Sequence, residues 1–269
     1  MRISVIVTTY NNPRALRAVL LGYARQDDTG FDVIVADDGS GPATRELVDS
    51  LRSLLPYELT HVWQEDRGFR AAAIRNRAIA ASKSEYLIFT DGDCIPSSRF
   101  VRVHRLLAEP GWFLSGNRIL LNEDLARAVL DQELDLSGWS WMQGVQCWLR
   151  RDINRMMPLV LLPDGQWRKM APRRWAGCVT ANLSAWRQDL LKVNGFDESY
   201  CGWGLEDSDL VVRLMHAGIF HKSARFGAFI WHLWHPYNDR ERLSDNEARF
   251  DSLLDSDRIG CPSGVNQYL

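Results

Sequence analysis

Short β-branched runs alternate with amphipathic stretches through the first hundred residues of the chain. Ile3-Ser-Val-Ile-Val7 reads as a buried strand, and Asn12-Pro13 then opens an amphipathic helix to about Gln26, with Asn12 as its cap and Pro13 at its first position. Phe31 to Ala36 is a second strand, ending in Asp37-Asp38-Gly39-Ser40. A helix from Ala43 to Leu55, a strand from Leu59 to Trp63, a helix from Phe69 to Ser82 and a strand from Tyr86 to Phe89 continue the alternation. Strands separated by helices of this length predict βαβ units, hence an α/β fold with a mostly parallel central sheet and helices on both faces.

After Asp93 the rhythm weakens. Arg99 to Leu107 reads as a helix and Trp112 to Leu121 as one strand, but Leu136 to Trp175 has no clean period and mixes five tryptophans with basic residues, as an insertion would. Order returns with Val179 to Ser184, helices near Asp189 to Val193 and from Glu206 to His216, and an apolar segment from Phe226 to Trp234.

Composition narrows the class. With 269 residues, 46% hydrophobic, 25% charged and a formal net charge of -2, the chain describes an ordinary globular protein, not a disordered one or a general polyanion binder, so nucleic acid is not an expected partner. Five cysteines without a C-x-x-C pair favour neither a disulfide framework nor a zinc knuckle. The amino-terminal apolar stretch is too brief for a signal-peptide core, and about 18 apolar residues never run together, so the expected location is the cytoplasm.

The chemistry-bearing residues gather at strand ends: Thr8-Thr9-Tyr10-Asn11 after the first strand, Asp37 and Asp38 after the second, Asp91 and Asp93 after the fourth. In a parallel sheet these ends share one edge, where open α/β sheets bind ligands. Carboxylates there repel a diphosphate unless a divalent cation intervenes, and hard oxygen ligands favour Mg²⁺ or Mn²⁺. Alone, Asp91-Gly-Asp93 is equally an acidic surface turn. Arg70 in a first helical turn, with Arg75 and Asn76 beyond it, suits a phosphate or an acidic neighbour, and equally a solvated basic face.

These segments, Thr8-Thr9-Tyr10-Asn11, Asp37-Asp38-Gly39-Ser40, Gly68-Phe69-Arg70 with Arg75-Asn76, and Thr90-Asp91-Gly92-Asp93, stand in an order that resembles the family 2 glycosyltransferases of the Rossmann-like GT-A fold. Gly202-Trp-Gly-Leu-Glu-Asp207 is similar to the W-G-x-E-D motif of a galactosyltransferase or chondroitin-polymerase type carboxyl-terminal subdomain. The resemblance implies a single GT-A domain over residues 1–269: a nucleotide-sugar half (1–121), an acceptor half (122–238) carrying the insertion (136–175), and a tail (239–269). It implies a UDP-sugar donor, a glycan or glycolipid acceptor, Mn²⁺ or Mg²⁺, and inversion at the anomeric centre. Thr8, Tyr10 and Asp38 would hold uracil and ribose, with Asn11, Arg70 and Arg75 near the nucleotide. Asp91 would support ribose and metal, and Asp93 would bind the metal directly. Asp207 would be the base, and Glu206 would bind the acceptor sugar. In similar enzymes a histidine near His232 and His235 completes the metal site, and His235 is the first choice.

Residue chemistry supports part of this independently. Glycosyl transfer needs a base for the acceptor hydroxyl and positive charge at the departing diphosphate. Glu206, Asp207 and Asp209 are otherwise acids favoured at a helix start. Trp203, between two glycines, suits stacking on a sugar ring. The Trp139 to Trp175 stretch carries seven basic residues against Asp152 and Asp164, seven minus two or +5, which fits peripheral contact with an anionic membrane surface, or inward tryptophans with solvated arginines. A nucleotidyltransferase making sugar nucleotides would show a Gly-rich loop where Thr8 to Asn11 stand. A non-catalytic sugar- or membrane-binding module would bind UDP or liposomes without turnover.

Overall fold

The computed structural model describes residues 1–236 and 240–269; the boundary expected between acceptor half and tail, at 238/239, lies outside the described residues. The first half runs β1 (Ile3–Thr9), α1 (Pro13–Ala24), β2 (Phe31–Asp37), α2 (Pro42–Leu51), β3 (Leu59–Trp63), α3 (Ala71–Ala81), β4 (Tyr86–Asp91). It continues through β5 (Cys94–Pro96), α4 (Phe100–Leu107), β6 (Trp112–Ser115), β7 (Asn117–Leu120), α5 (Glu123–Gln132) and α6 (Trp141–Leu149). Then come β8 (Leu183–Trp186), α7 (Arg187–Lys192), α8 (Glu206–His216), β9 (Phe220–Ser223), β10 (Phe229–His232) and α9 (Leu243–Leu254). Asn12 caps α1, its side chain accepting from the Ala15 N–H at 3.2 Å, with Pro13 next to it. The α1 and α2 helices end earlier than their periodicity suggests, at Ala24 and Leu51.

A seven-stranded sheet has the order β3-β2-β1-β4-β8-β6-β9, every pair parallel except those made by β8, which joins the two halves of the chain antiparallel to β4 and β6. The pleat sends alternate residues to opposite layers. Val5, Val7, Val33, Val35 and Ile88 pack with α1, α2 and α4, whereas Ile6, Ile34, Leu87 and Phe89 pack with α3, α7 and α8. Both faces are covered, so the central strands read as nearly unbroken apolar runs.

The single strand expected from Trp112 to Leu121 is two strands in two sheets. At Gly116 the chain squeezes between Asn182 and Ala228: a Cβ there would lie 2.4 Å from the Asn182 side chain. It leaves the large sheet there and enters a small one of order β5-β10-β7. The expected tail holds a helix, α9, whose Phe250 and Leu253 cover Val212 of α8. Among the described residues, no helix is long and apolar enough to cross a membrane.

Candidate active site

The carboxyl ends of β1, β2 and β4 are in register, Thr9 opposite Asp37 and Thr8 opposite Asp91. Immediately after Asp91 the chain folds back across the end of β1, the Gly92 N–H donating to the Thr8 carbonyl at 2.7 Å. A Cβ at Gly92 would sit 2.8 Å from Thr9 Oγ1, so a glycine between the two aspartates is a packing requirement.

Asp37 and Asp38 part company here. Asp37 is buried, accepting from the Ser40 N–H at 2.8 Å and pairing with His61 Nε2 at 2.9 Å. Burial alone would raise its pKa, but these partners bring it below the usual carboxylate value, which marks a loop-holding residue. Asp38 accepts from the Gln64 side chain and from the Arg70 N–H, the latter at 2.7 Å, at the start of α3. Burial dominates there and raises its pKa. Asn11 ties the first loop to the second, its N–H donating to Ser40 Oγ and its Oδ1 accepting from the Gly41 N–H at 3.0 Å. Tyr10 leaves half its surface exposed beside them and donates to Asp66 at 2.9 Å. Gln64 escaped the sequence reading, although it follows the end of the third parallel strand.

Arg75 is the hub. Fully inside the protein on α3, it donates to Thr8 Oγ1 at 3.1 Å, Glu206 Oε1 at 2.9 Å and Asp91 Oδ1 at 3.4 Å. One guanidinium therefore joins the end of β1, the end of β4 and the start of α8.

The acids of α8 have three fates. Glu206 faces Arg75. Asp209 is fully buried, paired with Arg213 at 2.6 Å, and takes the Tyr200 hydroxyl at 3.3 Å; it holds the fold together. Asp207 accepts from the N–H groups of Thr180 at 3.3 Å and Ser208 at 2.8 Å. Burial, and then the charge of Glu206, push its pKa up to about 7, against the pull of Arg75 and the two N–H groups. A carboxylate with that affinity for protons is matched to general-base work at neutral pH.

The loop before α8 is tightly shaped. Gly202, Gly204 and Leu205 all have positive φ, 76°, 111° and 73°. Buried Asn246 of α9 donates to the carbonyls of Cys201 at 3.2 Å and Gly204 at 3.0 Å. Trp203 carries the Arg240 guanidinium 4.9 Å from its ring centre. No motif marks Asn246.

Asp93 lies next to both histidines. His232 closes β10 and His235 follows in the loop, so the turn after the strand brings together two rings that alternation within a strand would separate. His232 Nε2 lies 3.8 Å and His235 Nε2 3.4 Å from the Asp93 oxygens. His235 Nδ1 is 2.7 Å from the Pro236 carbonyl, which only accepts, so Nδ1 carries a hydrogen and Nε2 is the ring atom turned toward Asp93. Burial lowers the pKa of His232 and favours its neutral ring. Cys94 Sγ is also near, but burial followed by the charges of Asp93 and Asp91 raises its pKa well above the ordinary thiol value. One carboxylate and two imidazoles form an oxygen–nitrogen donor set that fits Mn²⁺, or Mg²⁺ with more of its water retained.

The expected basic stretch divides. Arg168 is buried and donates to the carbonyls of Leu162, Ser223, Arg225 and Phe226, while Lys169 pairs with Glu109. Trp139 packs against Trp231 and Trp175 against Phe250, whereas Trp141 and Trp148 are exposed.

The seven-stranded α/β sheet, with strand-end acids facing a second carboxylate-bearing segment, has the GT-A-like fold of solved glycosyltransferases. Residues 4–120 match the family model described as glycosyl transferase family 2, and residues 168–234 match one described as the N-terminal domain of galactosyltransferase. Residues 4–120 are thus similar to family 2 glycosyltransferases, and residues 168–234 to the galactosyltransferase-type region. The chain is 29% identical over 228 residues to the validoxylamine A glucosyltransferase of Streptomyces hygroscopicus subsp. jinggangensis, covering 81% of this chain and 52% of that protein. It is 26% identical to the chondroitin synthase of Escherichia coli, over 89% of this chain and 36% of that protein. The chain thus spans about half the length, or less, of these curated relatives. Among solved structures, the mannosyltransferase PcManGT of Pyrobaculum calidifontis, in complex with GDP-Man and Mn²⁺, superposes with a TM-score of 0.63 at 18% identity, over 95% of this chain and 64% of that one. TarS 1-349 of S. aureus with UDP gives 0.59 at 15% identity, over 100% and 68%. At these identities the superpositions carry the fold.

Proposed function

We propose that the chain is an inverting, metal-dependent glycosyltransferase that moves a hexose or N-acetylhexosamine from a UDP-sugar to a hydroxyl of a cell-envelope glycan or lipid-linked oligosaccharide. The observation that carries this reading is the contact of one buried guanidinium, Arg75, with both Asp91 and Glu206, next to Asp207. It brings the strand-end acids and the Trp-Gly-Leu-Glu-Asp segment to one place.

In this reading residues 1–121 bind the nucleotide sugar and the second half binds the acceptor. Tyr10 offers a ring to uracil, and Asp38, whose oxygens each keep a lone pair, accepts from the base or ribose. Asp91 supports the ribose. Asp93 with His235 and His232 holds Mn²⁺ or Mg²⁺, which when bound neutralises charge growing on the diphosphate. Trp203 and Glu206 orient the acceptor sugar. Asp207 takes the proton of the acceptor hydroxyl as its oxygen attacks the anomeric carbon; the bond to the diphosphate breaks, the electron pair leaves with UDP, and a single displacement inverts the centre. The similarity to a glucosyltransferase and a chondroitin synthase supports sugar transfer to a glycan or glycan-like hydroxyl. We place the protein in the cytoplasm, at the inner face of the membrane.

A donor screen tests the reading. Incubated with Mn²⁺ and each common nucleotide sugar, the protein should slowly release UDP from one UDP-sugar. Tight UDP binding without any release, even with glycan acceptors supplied, would instead support a binding module, and pyrophosphate-dependent formation of UTP a nucleotidyltransferase.

A further inference from the structure

We propose that the outward face of α6, with the arginines that follow it, docks on an anionic lipid bilayer. The nine-residue helix is capped by Ser140 and Gln143 in a reciprocal capping box, so it is a defined element. Its buried side, Gly144 and Cys147, faces the protein, and Leu159 packs against Gly144. The flank that runs outward from beside Gly144 is apolar and open. Trp141, Met142, Trp148 and Leu149 are 56%, 66%, 45% and 69% exposed. At 100° per residue these four positions and Val145 span an arc of about 120°. Met157, just beyond, is 55% exposed.

Charge at the edge of this face selects the occupant. Arg150, Arg151 and Arg155 are all exposed, and among the described residues none pairs with an acidic side chain. Asp152 is the lone acid between Gly138 and Pro163, leaving three minus one, or +2, on this segment. Indole rings and long apolar side chains on one short helix, with guanidinium groups free of acidic partners in the segment after it, suit the interface of an anionic bilayer, where rings sit at headgroup level and arginines meet phosphates. A second protein copy would bring the same +2 against itself.

The face also lies beside the candidate metal residues. A cleft of about 560 Å³ opens between the end of α6 and the end of β7, lined by Leu120, Trp148, Leu149, Arg151 and Asp152 among others. Leu120 is paired in register with His232. A headgroup on this surface would therefore stand one strand away from His232; that consequence rests on the proposed function, whereas vesicle binding does not.

Vesicle co-sedimentation of the full chain tests the proposal, using phosphatidylcholine alone and mixed with phosphatidylglycerol. The protein should bind the anionic vesicles, lose binding as salt is raised, and bind the neutral ones weakly. Trp141→Ser with Met142→Ser should weaken binding by about tenfold or more, because two apolar side chains no longer leave water. Arg150→Glu with Arg155→Glu should remove the preference for anionic vesicles. Neither pair lines the cleft, so both variants should release UDP from the donor at the unaltered rate. Absence of vesicle binding, binding unaffected by either pair, or a dimer in light scattering that Trp141→Ser with Met142→Ser abolishes would each overturn it. Vesicle binding by a protein inert toward every nucleotide sugar sinks the proposed function and leaves this surface standing; donor hydrolysis without vesicle binding does the reverse.

Discussion

Arg75 and Glu206 stand 131 positions apart in the chain and meet at 2.9 Å inside the protein. The same guanidinium reaches Thr8 and Asp91, so three residues from three elements depend on one cation. Replacing it with an apolar side chain strands Glu206 as a buried charge, which costs about 3–5 kcal/mol. Arg75→Met should therefore lower the unfolding free energy by about that much, measured by denaturant titration at neutral pH. A loss under about 1 kcal/mol would show that the contact carries little.

Asp207 should set the acid limb of the pH–rate profile. Its pKa of about 7 in the free protein means that the deprotonated, base-competent form is lost as pH falls through neutrality, so kcat/KM should fall below about pH 7. Asp207→Asn should reduce kcat by about 10²-fold or more and erase that limb, with UDP affinity retained. Stability gives the same sign separately. A carboxyl whose folded pKa is raised contributes stability that is complete below its unfolded pKa and is lost as pH rises through about 7. Asn does not titrate, so the melting temperature of the variant relative to the parent should climb between pH 5 and pH 8.5. A flat difference across that range would remove the physical basis of the assignment.

Asp209, two residues on, should behave in the opposite way. It is fully buried against Arg213 at 2.6 Å, and cutting it back leaves that guanidinium unpaired in the core. Asp209→Ala is expected to destabilise by about 3–5 kcal/mol. Whatever fraction remains folded should keep the parent's acid limb in kcat/KM. A stable variant with a shifted limb would place Asp209 in the chemistry.

What the sequence disclosed divides along the range of the interactions. The alternation of β1 to β4 with α1 to α3 was legible because burial on both faces of a parallel sheet makes each strand an apolar run, and the strand ends then placed Thr8, Asp38 and Asp91 on one edge. The break at Gly116 was not, since nothing local separates it from a strand; the crossing of Asn182 and Ala228, distant in sequence, imposes it. Equally, three acids at the start of α8 look alike in sequence, and only their partners distinguish Glu206 on Arg75, Asp209 on Arg213, and Asp207 on two N–H groups. Spacing alone left His232 and His235 as alternatives, because whether both reach Asp93 depends on where β10 ends.

Metal dependence should reside at Asp93. In the parent, added Mn²⁺ should tighten UDP binding in a calorimetric titration, and chelation should reverse the effect. Asp93→Ala should bind UDP alike with and without Mn²⁺, because a single carboxylate and two imidazoles make up the donor set. His235→Ala, which removes one nitrogen, should weaken the Mn²⁺ effect without abolishing it. Undiminished enhancement by Mn²⁺ in Asp93→Ala would move the metal elsewhere.

The last expectation concerns Asn246, far along the chain from every motif. Its amide joins the carbonyls of Cys201 and Gly204 across a loop with three positive-φ residues, one of them Leu205, where a side chain makes that conformation costly. Without the amide, two part-buried carbonyls lose their donor, at about 0.5–1.5 kcal/mol each, and the loop that sets the direction of Trp203 and the entry to α8 is free to relax. Small displacements of positioning groups reduce rates steeply. Asn246→Ala should therefore lower kcat by about tenfold or more while leaving the Kd for UDP within about twofold, since the residues assigned to the nucleotide lie on other elements. Asn246→Gln, which keeps the amide on a longer stem, should recover part of the rate. Equal losses of UDP affinity and kcat would mean that the substitution damages the whole fold, and an unchanged kcat would mean that the α9 clamp has no part in positioning.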